Sequence, residues 1–488
     1  MRSSRGGARA VPKRFLNAAA GLSAAASLLA AAPAPTGHED TLRRDLNRIF
    51  HAPAMAQGLW GVEIKSLDSG EVLYSLNART LMMPASNMKI LTLAAAATAL
   101  GWDFRFTTRL ETTAPIEDGA LKGDLYLVGS GDPTINGRDR RADAVLDEWA
   151  AALEKAGISR IDGNIVGDGG AFDDHGLGQG WSWDDLQYGY AAPVSALEFN
   201  ENTAALMITP GPRAGDQAKL ELSPDTGLGL IHHVTTGAPG SATAIDYERL
   251  PNDHWLDVTG SIAVDAAPVT RDVAVSNPAR YFARMTLNGL AARGLQVRGL
   301  PVDRTDQTVL EPGPRRVLVE SVSPPLNEIA TTMMKVSQNL YAETLLKTIG
   351  KQRVRDVLAA WNIPASTFVQ ADGSGLSRYD YVTPDLIVTI LERMFKDPRD
   401  HNAFMTALPI AGTDGTVASR LKNTRAEGNA LAKTGSIANV RALSGYVRTR
   451  NHETLAFSIL ANAFTISPAT VNWMTDIAIE ELANYPGR

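Results

Sequence analysis

The sequence predicts an α/β (α+β) protein whose main domain is split by a long β-rich insertion. Near the start of the chain a strand hairpin precedes an apolar helix, and near its end helical periodicity is followed by a strand meander. Between them, short strands alternate with Gly and Asp turns. Because 488 residues exceed one ordinary hydrophobic core, more than one domain is expected. We predict a main domain from residues 35–110 and 315–488, with residues 111–314 inserted.

The first elements of the main domain are a β-hairpin and a buried helix. Residues 61–65 alternate in polarity up to an Asp-Ser-Gly turn, and a second strand follows at 71–74, which predicts the hairpin. The run 90–100 is apolar on every face, which is typical of a helix inside a core. Ser86 and Lys89 would then lie on the first turn of that helix.

Strands dominate residues 111–315, where 280–290 is the one helix that we predict. Helical periodicity returns over 326–350 and again over 385–395. Three strands form a meander near the end of the chain: 432–437, 442–448 and 454–462.

Residues 1–34 have the pattern of a secretory signal peptide. Five basic residues precede an Ala-rich apolar run over 15–32, with small residues around 30–34. We therefore expect secretion across the inner membrane into the periplasm or the cell-wall space. The alternative is an uncleaved membrane anchor.

Charge and composition exclude several classes of function. Loss of the five basic residues takes the net charge from -6 to about -11, and such an acidic protein repels phosphate backbones, so no nucleic-acid partner is expected. The chain has no cysteine, which excludes thiol chemistry and disulfides. The predicted helix at 468–482 has an acidic polar face, so we expect at most peripheral membrane association. His232 and His233 lack a third ligand at suitable spacing, and neither a metal nor a cofactor is expected.

Three short motifs occur in a fixed order on these elements. They are Ser86-x-x-Lys89 at the start of the buried helix, Ser337-Gln338-Asn339 in the later helical stretch, and Lys433-Thr434-Gly435 on a predicted strand. Second copies of the first two motifs, at 419–422 and 75–77, do not fall in that order or on those elements. The ordered set is a specific signal for serine acyl transfer.

The first motif pairs a nucleophile with a base. Residues three apart share a helix face, so Lys89 can reach the hydroxyl of Ser86. Lysine accepts a proton only when it is neutral, and both burial and the second cation Lys433 would lower its pKa. The free N–H groups at the helix start can bind a developing oxyanion.

The other two motifs fit the remaining tasks. Ser337 can pass a proton to the leaving group, and Asn339 can hold the substrate amide. Lys433 and Thr434 can bind a terminal carboxylate, while Gly435 lets the substrate lie close to its strand.

Each of these residues also has a purely structural interpretation. Ser86 could be a helix N-cap, and Lys89 a surface lysine that extends along an apolar stem. Asn339 could face solvent, and Lys433 could be a charge on an edge strand. The order of the three motifs favours the catalytic interpretation.

These motifs resemble those of the penicillin-recognising serine enzymes, which comprise penicillin-binding proteins and serine β-lactamases. Four more segments are similar to the class C, low-molecular-mass penicillin-binding proteins, the D-Ala-D-Ala carboxypeptidase/endopeptidases of peptidase family S13: 129–133, 193–197, 372–378 and 408–416. The resemblance covers nearly the whole chain after the signal peptide.

The resemblance implies a β-lactamase/transpeptidase-like catalytic domain and an insertion of two nested subdomains. It implies an acyl-enzyme on Ser86, an oxyanion hole formed by the N–H groups of Ser86 and Ser436, and covalent inhibition by β-lactams. The expected substrates are peptidoglycan stem peptides and their cross-links.

Arg378 carries a more specific implication of the same resemblance. In related proteins the matching Leu-Ser-Arg lies beside the substrate pocket, where the Arg meets the free carboxylate of a diaminopimelyl residue. The planar guanidinium suits such a carboxylate. The alternative is an exposed surface arginine, and Ala438 stands where some relatives have a polar residue.

Two other functions remain open at this point. A serine β-lactamase would hydrolyse penicillin with turnover, whereas a penicillin-binding protein stays acylated. A non-catalytic wall-binding or β-lactam-sensing module would not release D-Ala from a model peptide.

Overall fold

The structure, a computed structural model, describes residues 37–138, 141–251, 253–307 and 313–487. The signal peptide predicted at 1–34 lies outside the described residues. Helices and strands mix at both ends of the chain and strands dominate its middle, which confirms the predicted α/β (α+β) class. Within the described ranges, no helix combines the length and apolar character needed to span a bilayer.

Nine α-helices lie in the described part of the chain: α1 (Gly37–Phe50), α2 (Met88–Leu100), α3 (Arg141–Lys155), α4 (Pro278–Ala292), α5 (Leu326–Lys335), α6 (Asn339–Ala360), α7 (Pro384–Lys396), α8 (His401–Ala407) and α9 (Pro468–Asn484). The helices predicted at 280–290, 385–395 and 468–482 are confirmed as α4, α7 and α9.

The strands of the described residues form six sheets. Their bounds are β1 (Leu59–Ser66), β2 (Val72–Leu76), β3 (Thr107–Thr112), β4 (Ile116–Glu117), β5 (Ala120–Leu121), β6 (Leu125–Gly129), β7 (Arg160–Ile161), β8 (Ile165–Asp168), β9 (Thr203–Thr209), β10 (Lys219–Ser223), β11 (Gly229–Gly237), β12 (Ala244–Glu248), β13 (Trp255–Ala263), β14 (Val269–Ala274), β15 (Gln296–Val297), β16 (Pro301–Asp303), β17 (Arg316–Val322), β18 (Phe368–Val369), β19 (Tyr381–Val382), β20 (Leu431–Ile437), β21 (Val440–Arg448) and β22 (Thr454–Asn462).

Two helix predictions are wrong. The region 326–350 is not one continuous helical stretch, because residues 336–338 separate α5 from α6 and Ser337 has a φ of 62°. In the middle of the chain, α3 lies where no helix is predicted. Its apolar side chains nevertheless recur every four residues at Val145, Trp149 and Leu153, which is helical spacing.

The main sheet joins the two ends of the chain. Its order is β2-β1-β22-β21-β20, and all neighbouring strands are antiparallel. Leu59 of β1 lies opposite Asn462 of β22, and Ser66 lies opposite Leu455. The predicted hairpin and the predicted meander are confirmed. β20, which carries the Lys-Thr-Gly motif, lies at the edge of the sheet.

Helices cover both faces of the main sheet. α1 and α9 pack on one face, while α2 and α7 belong to the core on the other. With both faces covered, β22 is buried along its whole length. α2 packs against α6 and α7 and is buried over residues 88–97, which confirms the predicted core helix. We call residues 37–106 and 323–487 the main body.

The inserted region, residues 107–322, has two hydrophobic cores. One packs α3 and α4 on the mixed sheet β16-β8-β6-β3-β17. The other is formed by β9 to β14 and lies between the two halves of the first in sequence. β3 and β17 pair with each other, so this region extends a few residues beyond the 111–314 expected from composition.

Candidate active site

Ser86 lies in a 3-10 turn that leads directly into α2. Ala85, which precedes it, has a φ of 45°, a left-handed conformation that costs a non-glycine residue about 1–2 kcal/mol. A Cβ on Gly375 would lie 1.7 Å from the Ala85 carbonyl oxygen, and a Cβ on Gly435 would lie 3.0 Å from the Ser86 nitrogen. The turn is therefore held between two backbone segments that approach closely because both have glycine.

Lys89 is buried and makes three short contacts through its amine. Its Nζ lies 3.0 Å from Ser86 Oγ, 2.6 Å from Asn339 Oδ1 and 2.9 Å from the Ser374 carbonyl oxygen. The first contact brings together the nucleophile and base of the predicted motif. The burial of Lys89 excludes the surface-lysine interpretation.

Burial also sets the protonation of Lys89. It lowers the pKa of Lys89 to about 7, against the opposing effect of the negative charges of Asp372, Glu343 and Asp380. A substantial fraction of the amine is then neutral at pH 7 and can accept a proton. We expected Lys433 to contribute to this shift. Instead, the repulsion between the two lysines acts on Lys433. Burial and the charge of Lys89 together hold the pKa of Lys433 well below its usual value.

Ser337 and Asn339 converge on the two lysines. Lys433 Nζ donates to Ser337 Oγ at 2.8 Å, and Asn339 accepts from Lys89. Ser337 lies in the connection before α6 and not in a helix as predicted, and Asn339 is the first residue of α6. Since the Asn339 amide is bound to Lys89, the solvent-facing interpretation of this residue is wrong.

β20 forms one wall of the site. Asn87 Nδ2 donates to the Lys433 carbonyl at 2.9 Å, which ties the Ser86 turn to the strand. Thr434 Oγ1 donates to Thr416 Oγ1 at 2.7 Å. We expected Gly435 to make room for substrate, but it makes room for the turn itself. Ser436, which follows it, is exposed.

Arg378 lies at the far end of this wall. Its side chain is exposed, and its Nη1 lies 3.4 Å from the Ala438 carbonyl oxygen. Ala438 is in the turn between β20 and β21. The guanidinium is therefore at the edge of the site, in contact with solvent.

The second copies of the motifs are elsewhere. Ser75 is on β2, at the opposite edge of the main sheet from β20. Lys422 is an exposed residue of a turn-rich segment. Across the described residues, no group of three or more His, Cys, Asp or Glu side chains is arranged to hold a metal ion.

A loop without a predicted chemical role supplies the third acceptor for Lys89. Buried carboxylates accept the N–H groups of this loop, residues 371–377. Asp380 accepts those of 371 and 372, Glu343 those of 373 and 374, and Asp372 those of 374, 375 and 377. Burial raises the pKa of Glu343 to about 8. The sequence feature that could have indicated this loop is the pair Asp372 and Asp380, which encloses a run rich in Gly and Ser.

The inserted region also reaches the site, which the motifs do not indicate. The Tyr190 carbonyl accepts from Asn339 Nδ2 at 2.8 Å, and Trp181 Nε1 donates to Asp372 Oδ2 at 2.8 Å. A cavity of about 450 Å³ lies between Tyr190 and Ser337. Both regions of the molecule therefore line the site.

This fold and these three ordered motifs are those of the penicillin-recognising serine enzymes. Residues 42–482 match the D-Ala-D-Ala carboxypeptidase 3 (S13) family, and the chain belongs to that family. It is 35% identical over 477 residues to a D-alanyl-D-alanine carboxypeptidase of Actinomadura sp. (strain R39), covering 91% of this chain and 85% of that protein.

Solved structures agree with this assignment. The crystal structure of penicillin binding protein 4 (dacB) from Haemophilus influenzae matches with a TM-score of 0.79 and 26% identity, over 91% of this chain and 99% of that one. The same Haemophilus protein complexed with a β-lactam matches with a TM-score of 0.72 and 24% identity, over the same shares. The predicted resemblance and fold are confirmed.

Proposed function

We propose that this protein is a serine D-alanyl-D-alanine carboxypeptidase with DD-endopeptidase activity on peptidoglycan stem peptides and cross-links. The reaction passes through an acyl-enzyme on Ser86, and penicillins inhibit it by forming a stable ester on the same serine. The observation that carries the proposal is the 3.0 Å contact between Lys89 Nζ and Ser86 Oγ, in a site where burial lowers the pKa of Lys89 to about 7.

Acylation begins when the neutral amine of Lys89 accepts the proton of Ser86. The oxygen attacks the carbonyl carbon of the penultimate D-Ala, and the N–H groups of Ser86 and Ser436 bind the oxyanion. Ser337 gives its hydroxyl proton to the leaving amine as the peptide bond breaks, and takes a replacement proton from the ammonium group of Lys433. Water then hydrolyses the ester, which releases the shortened peptide and restores the Ser86 hydroxyl. When the ester is hydrolysed, Lys89 returns its proton to Ser86 and one proton of the attacking water goes to Lys433.

The two carboxylates of the substrate are opposite in charge to two basic side chains of the site, Lys433 and Arg378. A terminal carboxylate beside Lys433 would stabilise its ammonium form, since a buried cation gains most from a nearby counter-ion. Thr434 supplies a hydroxyl to the same carboxylate, and Asn339 holds the substrate amide. Arg378, at the edge of the site, binds the free carboxylate of a diaminopimelyl side chain.

The test is labelling with a fluorescent penicillin, followed by mass spectrometry of the adduct. We expect one stable ester, on Ser86. Ser86→Ala should abolish labelling, and Ser419→Ala, the matched control in the second copy of the motif, should not. An adduct on another residue would refute the assignment. The complex of the Haemophilus relative with a β-lactam supports this part of the proposal.

Product analysis distinguishes the activities. Release of D-Ala from a model stem peptide supports the carboxypeptidase, and cleavage of a cross-linked dimer supports the endopeptidase. Hydrolysis of penicillin with rapid turnover would instead indicate a β-lactamase. Absence of any D-Ala release would indicate a non-catalytic module.

The same proposal includes the location of the protein. The basic and apolar pattern of residues 1–34 supports secretion across the inner membrane into the periplasm or cell-wall space. The catalytic domain that we propose is the main body, close to the 35–110 and 315–488 expected from the sequence. N-terminal sequencing of the protein from cells should find a start near residue 35. A protein that retains Met1 would contradict cleavage.

A further inference from the structure

We propose that Trp181, in the inserted region, is a positioning residue for acylation, acting through Asp372 on the loop that holds Lys89 and the Ser86 turn. The inference rests on the proposed function, because it adds a residue to the same site. It gives the inserted region a part in positioning the reacting groups.

The contact between Trp181 and Asp372 joins the two regions inside the protein. Trp181 Nε1 donates to Asp372 Oδ2 at 2.8 Å, and Asp372 is 1% exposed. A Cβ on Gly178 would lie 2.2 Å from Trp181 Nε1, so the indole nitrogen lies directly over a glycine. Nearby, Ser377 Oγ donates to the Gln179 carbonyl at 2.6 Å. The orientation of the indole is therefore fixed from both sides.

Asp372 organises the loop through its other contacts. Its two oxygens accept the N–H groups of Ser374 at 3.1 Å, Gly375 at 2.7 Å and Ser377 at 2.7 Å. The Ser374 hydroxyl also lies 3.5 Å from Oδ2, and a side-chain hydrogen bond joins the carboxyl groups of Asp372 and Asp380. Without the indole N–H, Oδ2 loses one of its two donors within 3 Å, and the loop can shift to compensate.

A shift of this loop would reach both reacting groups. The Ser374 carbonyl accepts from Lys89 at 2.9 Å, and Gly375 packs against the Ala85 carbonyl directly before Ser86. Displacement would change the separation of amine and hydroxyl, which proton transfer requires at hydrogen-bond distance. Small errors of position at such a site cost large factors in rate.

The charges that face Lys89 predict a second measurable effect of losing the Trp181 contact, a shift in the pH profile of acylation. Asp372, Asp380 and Glu343 raise its pKa, while burial lowers it, and Lys433 lies across the site on β20. If the Ser374 carbonyl and Asp372 move away, the ammonium form of Lys89 loses favourable partners and its pKa falls. The acid limb of the acylation profile would then move to lower pH.

The experiment measures acylation by a chromogenic penicillin against pH in Trp181→Phe, with Trp255→Phe as the matched control. Trp255 is a tryptophan of the inserted region that is 54% exposed on β13. We expect Trp181→Phe to lower the acylation rate constant about 10- to 100-fold, the range that a small misplacement of reacting groups costs. The acid limb of Trp181→Phe should lie at lower pH than that of the wild type. Trp255→Phe should match the wild type in both the rate constant and the position of the acid limb.

If Trp181 only stabilised the fold, Trp181→Phe would lower the labelled fraction equally at all pH values. The acid limb of its acylation profile would then not move. A wild-type rate and limb in folded Trp181→Phe overturns the inference. If that variant does not fold, Ser377→Ala removes the adjacent bond to Gln179. It should slow acylation about 2- to 10-fold with a shift of the same sign, and no change there overturns the inference as well. Failure of the proposed function is distinguishable, because the wild-type protein would then lack a stable label on Ser86 or would release no D-Ala from a model stem peptide.

Discussion

The main body and the inserted region contribute to the candidate site in different ways. The side chains proposed to react, or to bind charge at the reacting centre, all lie in the main body: Ser86, Lys89, Ser337, Asn339 and Lys433. The inserted region contributes a backbone carbonyl, from Tyr190, and an indole N–H, from Trp181. The comparison teaches that chemistry and orientation are divided between two regions that lie apart in sequence.

One helix connects these contributions. The start of α6 presents Asn339 to the site, and Glu343 on the same helix binds the loop that holds Lys89. Another face of α6 meets the inserted region, where Thr344 Oγ1 donates to Glu198 at 2.7 Å and Lys347 Nζ to the His175 carbonyl at 2.8 Å. Because one face of α6 contacts the site and another contacts the inserted region, a movement of the inserted region would displace Asn339.

The largest effect should come from the base in the main body. Lys89→Arg keeps the positive charge, but arginine does not deprotonate. We expect acylation by penicillin to fall roughly 10²- to 10⁴-fold, the usual contribution of a general base. Stopped-flow acylation measures the rate, and Lys422→Arg, in the second copy of the motif, is the control. Near-normal acylation in folded Lys89→Arg would remove Lys89 from its role.

A more selective effect should come from the edge of the site. Arg378→Ala should lower kcat/KM for peptides that carry diaminopimelate. The expected loss of transition-state stabilisation is about 1.5–3 kcal/mol, the contribution of a charged hydrogen bond. Acylation by benzylpenicillin, which has no matching carboxylate, should stay nearly unchanged. Equal losses for both ligands would mean that Arg378 supports its loop and does not bind the substrate.

In the wild-type protein, the pH dependence of acylation should follow the titration of Lys89 in the main body. Because the pKa of Lys89 is about 7, the neutral amine predominates above pH 7 and its fraction falls below it. Acylation should therefore decrease about tenfold per pH unit well below pH 7. The rate constant measured from pH 5 to 8 at constant ionic strength tests this. A flat profile over that range would contradict proton transfer to Lys89.

The smallest effect should come from the part of the inserted region remote from the site. His233 is exposed on β11 and belongs to the small sheet β11-β13-β12. His233→Ala should leave acylation within about twofold of the wild type, as surface substitutions usually do. A large loss would show that the inserted region also affects the reacting groups from β11, and not only through Tyr190 and Trp181.

Residue type and order were enough to predict the chemical groups of the site. Lys89 could be placed beside Ser86 because residues three apart on a helix share a face, and the helix was recognisable as buried from its composition. The hairpin and the meander were predicted as separate units, but the pairing of β1 with β22, which joins them into one sheet, was not. These predictions succeeded because each depends on neighbouring residues.

The parts that escaped prediction depend on distant residues or on backbone atoms. The Tyr190 and Ser374 carbonyls are identical in type to every other carbonyl, so nothing in the sequence marks them. Ser337 adopts a positive φ outside a helix, although its neighbours are helix formers. The role of Gly435 was misassigned because its close neighbour is the Ser86 turn, more than three hundred positions earlier in the sequence.

The pairing of β1 with β22 also has a consequence for the time at which activity appears. β1 must wait for a partner about 400 residues away, which at ribosomal rates takes roughly 20–80 s. β3 and β17 close the inserted region earlier, so that part can fold while the main sheet is still incomplete. A nascent chain that has not reached β22 carries its serine and both lysines without the sheet that brings them together. Hydrolytic activity is therefore withheld until synthesis is nearly finished.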